Sequence, residues 1–224
     1  FVNKNDQIIQ KKIKKISSKN KLKNIDAKIN KSFKKKIEND FFLSKTNQVN
    51  LSFVLEIIKN FSINKNILLQ TINKFSGLDY RQQIIFQNKR FTIINDSKST
   101  SYSSSEGLLK MYDNIHWLVG GIPKKNDKLI LSKKYFKNIQ IYIFGKNYKK
   151  FSRDLRSKTK LKKFKNLKKA LDAILTEINN NKSFKNTILF SPASASFDSF
   201  RNFEDRGLYF NKLIKKYRNE RKFF

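Results

Sequence analysis

The chain of 224 residues is 38% hydrophobic and contains 21 phenylalanines, which is enough for a buried core and excludes disorder throughout. It has no cysteine, which excludes disulfides and thiolate chemistry. No apolar run approaches the ~18 residues of a membrane span, and the net charge of +33 at pH 7 suggests a polyanionic partner as a first hypothesis.

The positive charge is spread along the chain rather than concentrated in one segment. Lysines are interleaved with many asparagines and isoleucines, the combination that an AT-rich coding bias produces. A nucleic-acid-binding surface would instead cluster its basic residues on one face or one helix. We therefore expect no specific nucleic-acid partner, and a basic nucleic-acid-binding protein stays an alternative that the charge alone supports.

The first part of the chain is predicted to be helical after a weakly patterned start. Residues 1–40 show little periodicity and no convincing apolar face. Apolar residues at helical spacing then predict a helix over 50–63, with Asn50 as its cap, and a second helix over 64–75. Gly77 ends the second helix, and the boundary between two domains is expected there.

From Arg81 onward, predicted strands alternate with predicted helices. The strands are 82–86, 90–95, 115–121, 139–145, 161–164 and 186–191, and the helices are 104–112, a short one after Asn126, 148–156, 166–178 and about 199–216. This alternation predicts an α/β fold, a doubly wound and mostly parallel sheet with helices on both faces. The uninterrupted apolar strands "IYIF" and "ILF" agree, because a parallel sheet is buried on both faces.

Three loops that follow predicted strands are rich in Gly, Ser, Lys and Asp: "INDSKST", "LVGGIPKKND" and "LFSPASASFDSF". Parallel strands direct their carboxyl ends to one edge of the sheet, so Lys98 and Lys124 should meet there with the hydroxyls of Thr100 and Ser196. Ammonium groups and hydroxyls together suit a carboxylate or a phosphate. The alternative is that the glycines form turns, the serines cap helices and the lysines are ordinary surface residues.

Other chemistry finds little support in the sequence. The single histidine, His116, lies inside a predicted strand without a cysteine or second histidine nearby, which favours a packed residue over a metal ligand or a hydrolase base. Neither a phosphate-binding P-loop motif nor a dinucleotide fingerprint occurs in the chain.

The segments "FSGLDYR", "INDSKST", "LVGGIPKKND" and "SPASASFDSFRNFEDRGLYF", in this order and spacing, closely resemble motifs of the Mur ligases. The loop "NDSKST" is similar to that of the members that add D-glutamate. Upstream, "TNQVN" resembles the start of a helix that reads H-N-x-x-N in the family. Thr46 and Tyr80 stand where the family usually has histidine.

The resemblance implies a cytoplasmic, monomeric enzyme of peptidoglycan synthesis with no membrane partner. Its partners would be ATP, D-glutamate and UDP-N-acetylmuramoyl-L-alanine, whose carboxylate is activated as an acyl phosphate before the amine of D-glutamate attacks. Residues 1–76 would be the end of the family's central ATP-binding domain, and residues 77–224 its C-terminal, Rossmann-like, D-glutamate-binding domain. The P-loop and the Mg²⁺ ligands are expected outside this chain, so the chain alone should be inactive.

The resemblance also assigns site residues. Those that match positions around D-glutamate are Lys98, Thr100, Lys124, Ser196, Phe197 and Phe203. Those that match positions at the ATP nucleotide are Asn47, Asn50, Arg81 and Asp96. No catalytic base and no metal ligand is assigned within the chain. A non-catalytic Rossmann-like binding module that kept this fold is the alternative function.

The compositional origin of the charge predicts weak binding to DNA. The chain should bind duplex DNA at low salt and lose that binding by physiological ionic strength, because non-specific affinity falls steeply with salt. Fluorescence anisotropy of labelled duplexes, measured across a salt series, tests this. Tight and saturable binding that persists at physiological salt would favour the nucleic-acid alternative instead.

Overall fold

The computed structural model describes residues 1–15, 22–26, 28–43, 45–180 and 185–220. Its contacts divide the chain into two units, Phe1–Ser76 and Gly77–Phe224. None of the helices in these described segments is long and apolar enough to cross a bilayer.

The first unit consists mainly of helices. Its elements are β1 (Val2–Asn3), α1 (Gln7–Ile13), β2 (Asn24–Ile25), α2 (Lys31–Lys34), a 3-10 helix (Asp40–Leu43), α3 (Lys45–Ile58) and α4 (Lys65–Lys74). β1 and β2 pair in parallel. At the start of α4, the side chain of Asn64 accepts hydrogen bonds from the backbone N–H groups of Asn66 and Ile67, and so caps the helix.

Both helices predicted for this unit are present, but their bounds differ from the prediction. The first begins at Lys45 and ends at Ile58, and the second ends at Lys74, before Gly77. Asn50, the predicted cap, lies inside α3. Asn47 Nδ2 donates to the backbone oxygen of Phe41 at 2.8 Å, which ties the first turn of α3 to the preceding 3-10 helix. The buried apolar residues of the unit include Ile25, Leu51 and Ile72.

The second unit is built on one sheet. Its strands are β3 (Gln83–Gln87), β4 (Phe91–Asn95), β5 (Ile115–Gly120), β6 (Ile139–Phe144), β7 (Leu161–Phe164) and β8 (Asn186–Phe190). They lie in the order β3-β4-β8-β5-β6-β7. β3 is antiparallel to β4, and every other neighbouring pair is parallel.

Helices cover both faces of this sheet. They are α5 (Tyr102–Met111), α6 (Tyr148–Leu155), α7 (Leu167–Asn180) and α8 (Phe203–Asn219). Alternate side chains of β5 show the two layers: Leu118 packs with α7 and α8, whereas Trp117 and Val119 pack with α5 and α6. The predicted α/β class, with a doubly wound and mostly parallel sheet, is confirmed.

In the second unit, two further details of the prediction are wrong. No helix forms directly after Asn126; a 3-10 helix occurs later, at Lys133–Phe136. Leu129 and Leu131 are instead both buried in the core under α5 and α6, a spacing of two that suits extended chain. The last helix begins at Phe203 rather than near residue 199, because the side chain of Asn202 accepts from the backbone N–H of Asp205 and caps it.

Gly207 allows α8 to approach the loop before β3. A Cβ atom at this position would overlap the ring of Tyr80. We expect Gly207→Ala to lower the free energy of unfolding by about 1–3 kcal/mol, the usual cost of overpacking. The matched control is Gly107→Ala at an exposed position inside α5, which should raise it by roughly 0.5–1 kcal/mol through helix propensity. Urea unfolding of both variants measures the two changes in the free energy of unfolding, which should have opposite signs. Equal changes in the two variants would contradict the described packing.

Candidate functional site

Three polar loops lie side by side at the carboxyl edge of the sheet. They are the β4 loop (residues 96–101), the β5 loop (residues 121–127) and the β8 loop (residues 191–202). Their strands are neighbours, because β8 lies between β4 and β5. The sequence predicted that these loops share one edge, and the strand order brings them together there.

Backbone hydrogen bonds join the β8 loop to both of its neighbours. The N–H of Ser194 donates to the oxygen of Ser99 in the β4 loop at 3.3 Å. Ile122 and Ala195 exchange two hydrogen bonds, of 2.8 and 3.0 Å, between the β5 and β8 loops. Gly121 has a φ of 127°, and a Cβ there would overlap the β8 loop, so this close approach requires glycine.

The buried side chain of Arg206, on α8, donates hydrogen bonds to oxygen atoms at the ends of all three strands. Its side chain is 1% exposed. Nε donates to Ser97 Oγ at 3.1 Å, and Nη2 donates to the backbone oxygens of Ser97 and Ser194 at 2.8 and 3.0 Å. Nη1 donates to the oxygen of Gly120 at 3.4 Å. Burial lowers the pKa of Arg206 to about 10, so it remains a cation at neutral pH.

The sequence reasoning did not single out Arg206. A signal was present, because Arg206 follows Phe203 by three residues and precedes Phe210 by four, which places it on the apolar face of the last helix. A charged residue on such a face is either paired inside the protein or functional.

Asp96 is the first residue of the β4 loop, and its carboxylate is turned into the protein. The residue is 4% exposed. One carboxylate oxygen accepts from the backbone N–H of Gln82 at 3.1 Å, and the other accepts from the hydroxyl of Ser191 at 2.7 Å. Burial raises the pKa of Asp96 to about 7, against the opposing effects of these two donors and of Arg81 and Arg206.

A chain of buried hydroxyls continues from Asp96 to the start of α5. Ser191 Oγ lies 2.7 Å from Ser105 Oγ, which lies 2.8 Å from Ser99 Oγ. These serines therefore join the β4 loop, the β8 loop and α5 inside the protein, and they do not face solvent. The high serine content of this region has a packing role as well as any role at the surface.

Lys98 and Phe203, both assigned to D-glutamate, are in contact. The ammonium nitrogen of Lys98 lies 3.6 Å from the centroid of the Phe203 ring. The backbone N–H of Lys98 donates to the oxygen of Tyr80 at 2.9 Å, which holds the loop. The cation–π contact keeps the exposed ammonium near the start of α8.

The other four residues assigned to D-glutamate occupy the same edge. Lys124 is exposed in the β5 loop, and Thr100 is half-buried in the β4 loop. In the β8 loop, Ser196 is 3% exposed and Phe197 is 71% exposed. Their contacts with D-glutamate stay predictions.

The residues assigned to ATP are divided between the two units. Asn47 and Asn50 lie on α3 in the first unit, where Asn47 is buried and Asn50 is exposed. Arg81 is exposed just before β3 in the second unit. Asp96 does not present its carboxylate to the surface, as described above, so the geometry favours a positioning role over a direct contact with ribose. Contacts of these residues with the nucleotide stay predictions.

His116 is a packed residue, as the sequence suggested. Its Nδ1 lies 2.9 Å from the hydroxyl of Tyr142 and its Nε2 lies 3.2 Å from Asn186 Oδ1. Burial lowers the pKa of His116. Within the described segments, no group of three His, Cys, Asp or Glu side chains could hold a metal ion.

Known proteins are similar in sequence to about three quarters of this chain. A relative named "UDP-N-acetylmuramoylalanine--D-glutamate ligase" from Wolbachia pipientis wMel is 32% identical over 173 residues, which cover 77% of this chain and 34% of the relative. A relative of the same name from Rickettsia felis is 33% identical over 173 residues, 76% of this chain and 38% of the relative. The chain thus spans about a third of the length of the curated relatives it matches. No protein-family model matches it.

Solved structures share the fold. MurF from Acinetobacter baumannii superposes with a TM-score of 0.51 at 14% identity, covering 76% of this chain and 37% of that one. The UDP-N-acetylmuramate-alanine ligase MurC from Thermotoga maritima gives a TM-score of 0.50 at 14% identity, covering 79% and 39%. At this identity the likeness concerns the fold alone.

The burial of Asp96 predicts a specific dependence of stability on pH. Its pKa is raised from 3.8 to about 7 on folding, so the folded state binds this proton more tightly than the unfolded state does. The stability that this tighter binding contributes is lost as pH rises from about 4 to 7. The shift of about three pKa units corresponds to at most about 4 kcal/mol. Urea unfolding between pH 4 and 8 should show that Asp96→Asn removes this decline.

The control for this measurement is Asp113→Asn, which changes an exposed carboxylate in the same unit. It should follow the wild-type pH profile. If the stability difference between the wild type and Asp96→Asn is the same at every pH, the carboxylate of Asp96 is not buried as described.

Proposed function

Because this chain belongs to the Mur ligase family, we propose that it is part of an ATP-dependent ligase that joins D-glutamate to UDP-N-acetylmuramoyl-L-alanine in peptidoglycan synthesis. The observation that carries this proposal is the meeting of the β4, β5 and β8 loops at one sheet edge, with Lys98 and Lys124 exposed on two of them. The proposed location is the cytoplasm.

The chemistry of D-glutamate explains why such an edge would bind it. The molecule carries two carboxylates at neutral pH, and each forms its strongest contacts with cationic donors. Lys98 and Lys124 supply two ammonium groups from the loops on either side of the β8 loop, and Thr100 adds a hydroxyl two residues after Lys98. The exposed ring of Phe197 and the ring of Phe203 offer apolar walls for the methylene groups between the carboxylates.

The proposed reaction has two steps. The carboxylate of UDP-N-acetylmuramoyl-L-alanine takes the γ-phosphoryl group of ATP, giving an acyl phosphate and ADP. The amine of D-glutamate then attacks the acyl carbon, forms the amide bond, loses a proton and expels phosphate. The contribution of this chain is to hold and orient the amine donor, a form of catalysis that needs no covalent chemistry from the protein.

The nucleotide side of the proposal rests on fewer contacts. Arg81 is exposed and has the geometry to pair with a phosphate through two parallel hydrogen bonds. Asn50, exposed on α3, is proposed to contact the nucleotide. Asn47 is 3% exposed and its amide donates to the backbone oxygen of Phe41, so it would act indirectly, through the start of α3. Asp96 would act indirectly, because it accepts from the backbone N–H of Gln82, the residue that follows Arg81. The described residues offer no set of metal ligands, so no step is assigned to a metal held by this chain.

A non-catalytic binding module would bind D-glutamate at the same site but would not convert it to product. The two functions separate in an assay of a ligase that contains this chain, supplied with all three substrates. Release of ADP that depends on D-glutamate and does not occur with L-glutamate supports the ligase. Binding of D-glutamate without ADP release would support the module.

Lys124→Ala tests the assignment of the substrate site. Removing a charge-assisted contact costs about 1.5–3 kcal/mol, so the Km for D-glutamate should rise at least about 10-fold. The Km for ATP should change little, because Lys124 is assigned to the amino acid alone. Steady-state kinetics of a ligase that contains this chain measures both constants.

Lys125→Ala is the matched control, because it removes the same charge from the neighbouring exposed position. It should leave the Km for D-glutamate close to that of the wild type. An unchanged Km in Lys124→Ala, or an equal rise in both variants, would remove Lys124 from the site.

A further inference from the structure

We propose that Arg206 is a positioning residue that fixes the β4, β5 and β8 loops relative to one another and adds positive charge beneath them. This inference rests on the proposed function of the loops. Arg206 does not reach the surface, since it is 1% exposed, so it would act through the loops rather than by touching the substrate.

Each acceptor of Arg206 lies close in sequence to a residue assigned to D-glutamate. Ser97, which accepts through both its hydroxyl and its backbone oxygen, directly precedes Lys98. Ser194 lies two residues before Ser196 in the β8 loop. The guanidinium therefore fixes the backbone immediately beside these side chains.

The third acceptor belongs to the strand that leads into Lys124. The backbone oxygen of Gly120, the last residue of β5, accepts from Arg206 and also from the hydroxyl of Ser194 at 2.6 Å. A Cβ on the following Gly121 would lie 3.0 Å from Arg206 Nη1. The β5 loop is thus packed directly on the guanidinium, and a shift of either one would move the other.

The charge of Arg206 is not neutralised by a direct ion pair. Within the described segments, no carboxylate lies within 4.0 Å of its guanidinium; Asp198 and Asp96 act on it from a greater distance. Its hydrogen bonds instead go to neutral oxygens. Burying a cation in this way costs free energy. It also adds positive charge under the edge that is proposed to receive two carboxylates, offset in part by Asp198 and Asp96.

An arginine suits this position better than a lysine. Its planar guanidinium carries five N–H donors in fixed directions, which can serve several acceptors at once. A lysine keeps the charge but has one nitrogen, so it could not reach all three loops. Arg206→Lys therefore separates the positioning role from the charge.

The test compares Arg206→Lys with Arg156→Lys, the same change at the exposed arginine that follows α6, outside the three loops. Amide hydrogen exchange, followed by NMR, reports loop order through Lys98, Ile122 and Ala195, whose N–H groups all donate to neighbouring loops or strands. In Arg206→Lys, these amides should exchange at least about 10-fold faster. The amide of Ile141 in β6 should exchange as in the wild type, because it lies in the core of the sheet.

Kinetics of a ligase that contains this chain supplies the functional readout. Arg206→Lys should raise the Km for D-glutamate at least about 10-fold while the Km for ATP changes less than about twofold. Arg156→Lys should leave both constants and these exchange rates unchanged. A faster loop exchange together with the Km rise supports the inference.

Three results would overturn it. Unchanged exchange in Arg206→Lys shows that the loops do not depend on the guanidinium. Faster exchange with an unchanged Km for D-glutamate shows that the loops are not positioned for this substrate by Arg206, while the effect of Lys124→Ala still decides the proposed function separately. A wild-type enzyme that does not use D-glutamate removes both proposals.

Ser97→Ala provides a second variant if Arg206→Lys does not fold. It removes the hydroxyl that accepts from Nε and donates to the backbone oxygen of Phe203 at 2.8 Å, and it keeps the cation in place. Faster exchange at Lys98 and a rise of about threefold or more in the Km for D-glutamate are expected, because the hydroxyl links the β4 loop to both Arg206 and the start of α8. No change in either quantity would contradict the inference.

Discussion

The insertion of β8 between β4 and β5 is the constraint on which the candidate site depends. The three strands are adjacent in the sheet although they are distant in the chain, and all run in the same direction. Their polar loops must therefore leave the sheet at one edge. Because helices cover both faces of the sheet, its strands are apolar on both sides. The polar groups are therefore concentrated at the strand ends.

The first turns of α8 organise this edge from within. Phe203 supplies the ring beneath Lys98, Arg206 supplies donors to three strand ends, and Gly207 leaves space for Tyr80. These positions fall within five consecutive residues of one helix, which makes the helix start a common support for loops from different parts of the chain. A buried polar arrangement of this kind stabilises one geometry when all of its members are partnered.

The large positive charge of the chain has little part in the fold. Among the residues whose burial the structure describes, Arg206 is the only buried lysine or arginine. The other basic residues of that set lie partly or fully at the surface, where they affect solubility and non-specific binding more than structure. Lys98 and Lys124 differ from most other lysines in their positions on the two loops that flank the β8 loop, since their chemistry is the same as that of every other lysine.

The sequence alone determined the fold class, most elements and the edge where polar loops gather, because apolar periodicity and strand direction are local properties of the chain. It also placed Lys98, Thr100, Lys124 and Ser196 on the loops at that edge. It misplaced the helix after Asn126 and the start of α8, because a spacing of two apolar residues and a capping side chain each compete with helical periodicity over a few residues. The tertiary structure decided that Asp96 faces inward and that Arg206 joins three loops. Both depend on which distant backbone atoms come within about 3 Å, a distance set by strand order and not by any local pattern.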